Sequence, residues 1–313
     1  MSTINTQELV DLIADEAVTD EELKKYFVED ESLTQGMTPG VRVNPALVVE
    51  EPGLESALGL NTANSLSRFR RQLAYGRKIK KNPGAIRIVA EGDSWFQYPF
   101  VLEDIIDYVA AEPDMAVLCF SAGGDVLKNM AVEGEFYAPI EREGAAVFLI
   151  SAGGNDLVDD ESPRRGLLDF VLPFQAGRPA KDYFNAAYYA FMKGIEAQYD
   201  MIFKRVLALP PKPKIICHGY SDAVPQPGKG KWLGKPLSQL GIHDAKLQYD
   251  IVQEMLAYLA NILKGLAAKH GERVRFVDLK GLVPANGWHN EFHPTSQYFG
   301  VVARPVIDEI RRA

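Results

Sequence analysis

Four short segments of this 313-residue chain concentrate side chains able to act on a carbonyl group. Ser94, in Gly92-Asp93-Ser94, supplies a hydroxyl, and His293, followed by Pro294, supplies a base. Gly124, in the Ala-Gly-Gly-Asp run at 122–125, allows a backbone N–H to approach a ligand closely. Asn155, in Gly-Gly-Asn-Asp at 153–156, supplies a neutral amide donor. A serine becomes nucleophilic when a base lies within hydrogen-bond reach, and the oxyanion that then develops needs donors aimed at it. Together the four types suit acyl transfer through a serine.

Such side chains are useful only if the fold brings them together. From residue 86 onward, short apolar runs alternate with helical patterns. IRIVA (86–90), MAVLCF (115–120), AAVFLIS (145–151), KIICHGY (214–220) and RVRFVDL (273–279) read as strands. Helices are expected over 102–112, from 125, and over 182–208, 243–271 and 295–312, with Gly271 closing the fourth. Continuous apolar strands separated by helices predict a parallel sheet covered on both faces, a three-layer α/β/α sandwich with five strands. In such a sheet ligands bind beyond the carboxyl ends of the strands. Ser94, Gly124 and Asn155 follow the first three strands and His293 follows the last, so the sheet joins positions far apart in the chain.

GDS at 92–94, the glycine of AGGD, GGND at 153–156 and the late HP at 293–294 occur in the order of the sequence blocks of the SGNH (GDSL-like) hydrolases, which this chain resembles over roughly residues 86–312. The resemblance implies a flavodoxin-like α/β/α fold and a serine esterase or acyl hydrolase working through a Ser94 acyl-enzyme, without cofactor or metal. It implies that Ser94 is the nucleophile and His293 the base. The N–H groups of Ser94 and Gly124 and the Asn155 amide then form the oxyanion hole, with Gly124 preferred to Gly123 because Asp125 follows it. The implied substrate is a small-molecule, lipid or carbohydrate ester. Two alternatives stand beside it: a weak or inactive binding protein of the same fold, and an acyltransferase.

One position departs from the family pattern. Three residues before the histidine, where the family usually has an acid, stands Asn290, with Glu291 next to it. Asn290 or a nearby carbonyl could orient His293 in a Ser-His pair. Glu291 or another carboxylate could replace the acid, or turnover could be slow or absent. A carboxylate-to-amide change behind such a histidine can cost about 10⁴ in turnover when it holds the wrong tautomer. Asp93 reads as a group fixing the turn, and His218, near the end of the fourth strand, as a structural or pocket-lining histidine. Trp95, Phe96, Tyr98 and Phe100 suit either the core or an apolar pocket. The long segments 157–181 and 221–242 read as pocket walls or lids, with Leu167, Leu168, Phe170, Val171 and Phe174 able to cover an acyl chain.

The chain is 47% hydrophobic and carries a net charge of −8, a diffuse acidic balance that argues against nucleic acid as a partner. The basic run from Arg68 to Lys81 is expected to be a solvated helix end, and Lys229, Lys231 and Lys235 a loop. Cys119 and Cys217 read as buried strand thiols. Residues 1–85 form a separate, helical N-terminal extension to the 86–313 domain, with a capping box at Thr19 and Glu22, mostly loop over 33–62, and helices able to recruit a protein partner. The acidic, amphipathic start does not read as a signal peptide and no apolar run reaches membrane-spanning length, so a cytoplasmic location is expected.

Overall fold

The computed structural model describes residues 3–30, 40–49, 60–158 and 166–313. The expected loop over 33–62 and the first of the two long segments therefore lie partly outside the described residues.

The centre is a five-stranded parallel sheet of β5 (Ile86–Gly92), β6 (Met115–Cys119), β7 (Val147–Ser151), β8 (Lys214–His218) and β9 (Val274–Val277). The order is β6-β5-β7-β8-β9, which counted from β5 is the 2-1-3-4-5 order of flavodoxin-like sheets. The chain leaves β5 for β6 on one side and then crosses to β7 on the other. The crevice at the carboxyl ends of β5 and β7 is therefore the topological switch point.

All five strands were legible because burial on both faces makes them continuous apolar runs. Their ends are shorter than the apolar runs, since β8 stops at His218 and β9 at Val277. One layer of helices contains α4 (Ile105–Ala111) and α12 (Ser296–Arg311), which pack on each other. The other contains α5 (Leu127–Glu133), α6 (Tyr137–Glu143), α7 (Gly154–Val158), α8 (Leu167–Phe170), α9 (Ala186–Ala208), α10 (Gly234–Gln239) and α11 (Ala245–His270). Gly271 ends α11 at a φ of 70°. Cys119 and Cys217 are buried free thiols.

The N-terminal segment is not purely helical. Alongside α1 (Thr6–Ala14), α2 (Asp20–Lys24) and α3 (Leu60–Lys81) it holds β1 (Ile4–Asn5) paired with β4 (Val48–Val49) and β2 (Phe27–Glu29) paired antiparallel with β3 (Val41–Val43). Thr19 caps α2 through the reciprocal bonds with Glu22 that their spacing predicts. These strands are two or three residues long, too short for alternation to register. Leu9 and Ile13 of α1 and Phe27 of β2 belong to the same buried cluster as the sheet.

The solvated helix end expected for the basic run holds for Lys80 and Lys81, which are exposed, but not for the cations before them. α3 packs along β6, the edge strand, and its cations tie it down. Arg71, its side chain 11% exposed, bonds Asp104, Asp107 and the Phe96 carbonyl. Arg70 reaches the carbonyls of Ile13, Asp15 and Val18 beyond the end of α1, and Lys78 those of Ala110 and Glu112 at the end of α4. A linear pattern of charge cannot distinguish a cation bound to carbonyls from one in water.

Candidate active site

β5 runs straight into Asp93 and Ser94. Gly92 is needed there for proximity rather than for an unusual φ: a Cβ would stand 2.9 Å from the Ser151 carbonyl oxygen on β7. Asp93, as the sequence suggests, fixes the turn. Its carboxylate accepts from Trp95 N–H (3.0 Å), Ser151 Oγ (2.9 Å) and the Tyr220 hydroxyl, which itself accepts from Gly154 N–H (3.0 Å). One acid thus joins the ends of β5, β7 and β8. Burial raises the Asp93 pKa to about 7 against these hydrogen bonds.

Ser94 Oγ lies 2.7 Å from His293 Nε2 across 199 residues of sequence. His293 Nδ1 is 2.9 Å from Asn290 Oδ1. The same oxygen accepts the backbone N–H groups of Phe292 (3.0 Å) and His293 (2.9 Å). Those two N–H groups can only donate, so they fix which end of the amide faces them. An oxygen facing Nδ1 requires Nδ1 to carry the proton, which leaves the Nε2 lone pair toward Ser94. Burial, with a contribution from the nearby His289 and opposed by Glu29, lowers the His293 pKa to about 3. The ring is therefore neutral at neutral pH, and a hydroxyl held against a neutral imidazole can give up its proton as it attacks.

The glycine turn after β6 and the start of α7 stand on either side of this pair. Gly124 takes a φ of 87°, a left-handed conformation that favours glycine. The Gly123 N–H is already used, donating to Asn64 Oδ1 at 3.0 Å. Among the described residues no protein acceptor takes the N–H of Ser94 or of Gly124. Asn155 Nδ2 donates one hydrogen to the Asp125 carbonyl (2.7 Å), which orients the amide and leaves its second hydrogen. Asp156 accepts from Leu127 N–H at 2.9 Å, so the two turns are bound together.

No protein-family model matches the chain, and no curated protein sequence does. Among solved structures it is similar to the extracellular lipase of Streptomyces rimosus, at 15% identity and TM-score 0.48, covering 72% of this chain and 99% of that one. It is similar to phospholipase A1 of Streptomyces albidoflavus at 16% identity and TM-score 0.48, again over 72% and 99%. A carbohydrate esterase of family 3 from Talaromyces cellulolyticus covers 73% and 99%, at 11% identity and TM-score 0.39.

Other residues singled out in the sequence lie elsewhere. Glu291 points away from His293: its carboxylate accepts four backbone N–H groups, from Gln226, Trp232, Leu233 and Gly234. His218 is buried against Trp95, Phe96 and Tyr220, its Nδ1 3.0 Å from the Gly219 carbonyl, and burial lowers its pKa to about 4. Trp95 and Phe96 are core residues, and Phe100 stacks on Phe27 with centroids 4.0 Å apart. Leu167, Phe170 and Val171 are buried, with Phe170 against Tyr188 and Phe191, so these three are committed to packing, whereas Leu168 is half-buried and Phe174 is exposed. Residues 159–165 of the same segment lie outside the described residues.

Three contributors, Asn64, Gln97 and Glu29, carry no recognisable signal in the sequence, and Tyr98 is marked there only as a core or pocket aromatic. Asn64 of α3 holds Gly123 through both its N–H and its carbonyl, and Gln97 holds Asn64. Tyr98 stands edge-on to His293 with ring centroids 4.8 Å apart, and its hydroxyl donates to Glu29 of β2. Nothing local marks these roles, since each matters only through a partner remote in sequence. A cleft of about 670 Å³ between α2 and α3 of the N-terminal segment and α4 includes neither Ser94 nor His293. Arg70, Arg71 and Arg77 on its wall are paired with Asp20, Asp104 and Glu16. Among the described residues no cluster of His, Cys, Asp or Glu could hold a metal ion, and no helix is long and apolar enough to cross a membrane.

Proposed function

We propose that this chain is a serine ester hydrolase of the SGNH type. The observation that carries the reading is the buried 2.7 Å contact between Ser94 Oγ and a His293 ring whose tautomer leaves the Nε2 lone pair facing it. Ser94 attacks the ester carbonyl and His293 Nε2 takes its proton. The N–H groups of Ser94 and Gly124 and the free hydrogen of the Asn155 amide stabilise the oxyanion. Collapse of the tetrahedral species returns the proton to the leaving alkoxide and leaves an ester on Ser94. Water, deprotonated by His293, then attacks that ester and releases the acid.

Ser94 is 1% exposed and His293 fully buried, so a substrate enters beside a covering segment. Trp232, edge-on to His293 at 6.2 Å, supports the reading of the 221–242 segment as that wall. The chemistry suits esters of small molecules, lipids or carbohydrates. The test is hydrolysis of p-nitrophenyl acetate, together with labelling by an organofluorophosphonate. Wild-type protein turns over the ester and is labelled at Ser94, while Ser94→Ala loses at least about 10³ in kcat. Undiminished hydrolysis by Ser94→Ala, or labelling at another residue, removes the reading.

A further inference from the structure

We infer that Glu29, on β2 of the N-terminal segment, is the positioning carboxylate of His293, acting through Tyr98 and Asn290. The inference rests on the hydrolase reading for its consequence in turnover, but the arrangement itself is independent of it. Asn290 is neutral, so an imidazolium formed at His293 has no adjacent counter-charge. The nearby carboxylates are otherwise engaged: Glu291 is turned into the backbone N–H groups of 226–234, and Asp93 is held by Ser151, Trp95 and Tyr220. Glu29 instead faces the histidine's surroundings. Its Oε1 accepts from the Tyr98 hydroxyl, and His289 Nε2 lies 3.1 and 3.0 Å from its two oxygens.

The directions of these bonds agree along their length. Asn290 Oδ1 is occupied by His293 Nδ1–H and two backbone N–H groups, so its NH₂ faces the other way, toward the Tyr98 hydroxyl. Tyr98 in turn donates to Glu29. Every donor therefore points from Ser94 toward Glu29: Ser94 to His293, His293 to Asn290, the Asn290 NH₂ toward Tyr98, and Tyr98 to Glu29. Such a chain is polarised by its terminal anion, which strengthens the bond at Nδ1 and favours positive charge on the ring. The charged and titratable groups around Glu29 are His289, Tyr98 and His293, and its field raises the proton affinity of His293 against the effect of burial. Tyr98, the link, is itself held from below by its backbone N–H to Asp104 (2.9 Å).

Glu29→Gln keeps the shape and an acceptor for Tyr98 but removes the charge. In the full chain, kcat for p-nitrophenyl acetate is expected to fall about tenfold with KM unchanged, the size expected for loss of a nearby charge in a protein interior. The His293 Nδ1–H resonance, read with ¹⁵N-histidine labelling, is expected to move upfield. Tyr98→Phe, which cuts the chain but leaves Glu29 on His289, should give the same two changes. The double variant should be no worse than either single one. Glu29→Asp should recover part of the loss. Turnover within twofold of wild type and an unmoved resonance in both single variants overturn the inference. A wild-type protein without esterase activity removes the hydrolase reading alone, because the resonance still decides whether Glu29 acts on His293.

Discussion

Asn290 occupies the place from which a carboxylate would ordinarily orient a histidine base, and its single oxygen serves three donors there. The two backbone bonds are an Asx turn that fixes the amide, and the fixed amide sets the imidazole tautomer. A free amide would be ambiguous, whereas one pinned by two N–H groups is not. Asn290→Ala should therefore lower kcat by about 10² or more, since both the turn and the tautomer lock are lost. Asn290→Asp keeps Oδ1 for all three donors and should hold turnover within about tenfold of wild type. Its second oxygen would draw the Tyr98 hydroxyl away from Glu29. Turnover by Asn290→Ala equal to that of Asn290→Asp would show that the ring finds its orientation elsewhere. The departure at 290 was visible in the sequence. Its resolution was not, because the direction of an amide depends on the backbone turn that holds it.

Among the elements, the 226–234 segment depends on one buried acid. Glu291 replaces water for four N–H groups that have no secondary-structure partner. Burial raises its pKa, and the four N–H groups oppose that rise. Packing is close enough that a Cβ on Gly230 would stand 1.9 Å from the carboxyl group. Glu291→Ala leaves those donors buried and unpaired and should destabilise the protein by about 3 kcal/mol or more, read from urea denaturation. Trp232 would be released with the segment, so the same variant should gain activity on longer acyl esters relative to acetate. An unchanged midpoint and unchanged chain-length preference would detach this segment from the site. The sequence suggested Glu291 because it neighbours Asn290, but adjacent residues in a turn face different ways. The N-terminal segment, whose role could not be read from its sequence, supplies Asn64 to the glycine turn and Glu29 to the histidine side.

For the whole molecule, the buried groups around the site set opposing pH dependences. Burial raises Asp93 to about 7 and Glu91 to about 8, from 3.8 and 4.5. In that interval the folded protein holds protons that the unfolded chain releases, so stability falls as pH rises. His218 and His293 are lowered from 6.5 to about 4 and about 3. Below 6.5 the unfolded chain binds protons that the folded one refuses, so stability falls as pH drops. Between 4.5 and 6.5 the two histidines offset two of three buried acids, since burial likewise raises Asp104 to about 8, while above 6.5 only the acids act. Tm should therefore decline gently over that range and more steeply toward pH 8, each uncompensated proton contributing about 1.4 kcal/mol per pH unit. Asp93→Asn should lower stability and flatten the profile between pH 4.5 and 6.5. The same profile in both proteins would show that Asp93 is ionised throughout.

What the sequence determined by itself is the sheet and the residue types at its carboxyl ends. Double-faced burial prints continuous apolar runs, and turns beyond those runs carry a composition of their own. From that alone came five parallel strands, the flavodoxin-like order once the resemblance is added, and Ser94, Gly124, Asn155 and His293 as residues to bring together. Only the tertiary structure decided which groups stand behind them. It turned Glu291 away, fixed the Asn290 amide, placed Tyr98 against His293 and brought Glu29 of the N-terminal segment to the end of the same row. The reason is physical: burial leaves a periodic trace along one segment, whereas the orientation of a hydrogen bond belongs to two groups whose separation in the chain, 69 residues for Tyr98 and Glu29, leaves no local trace.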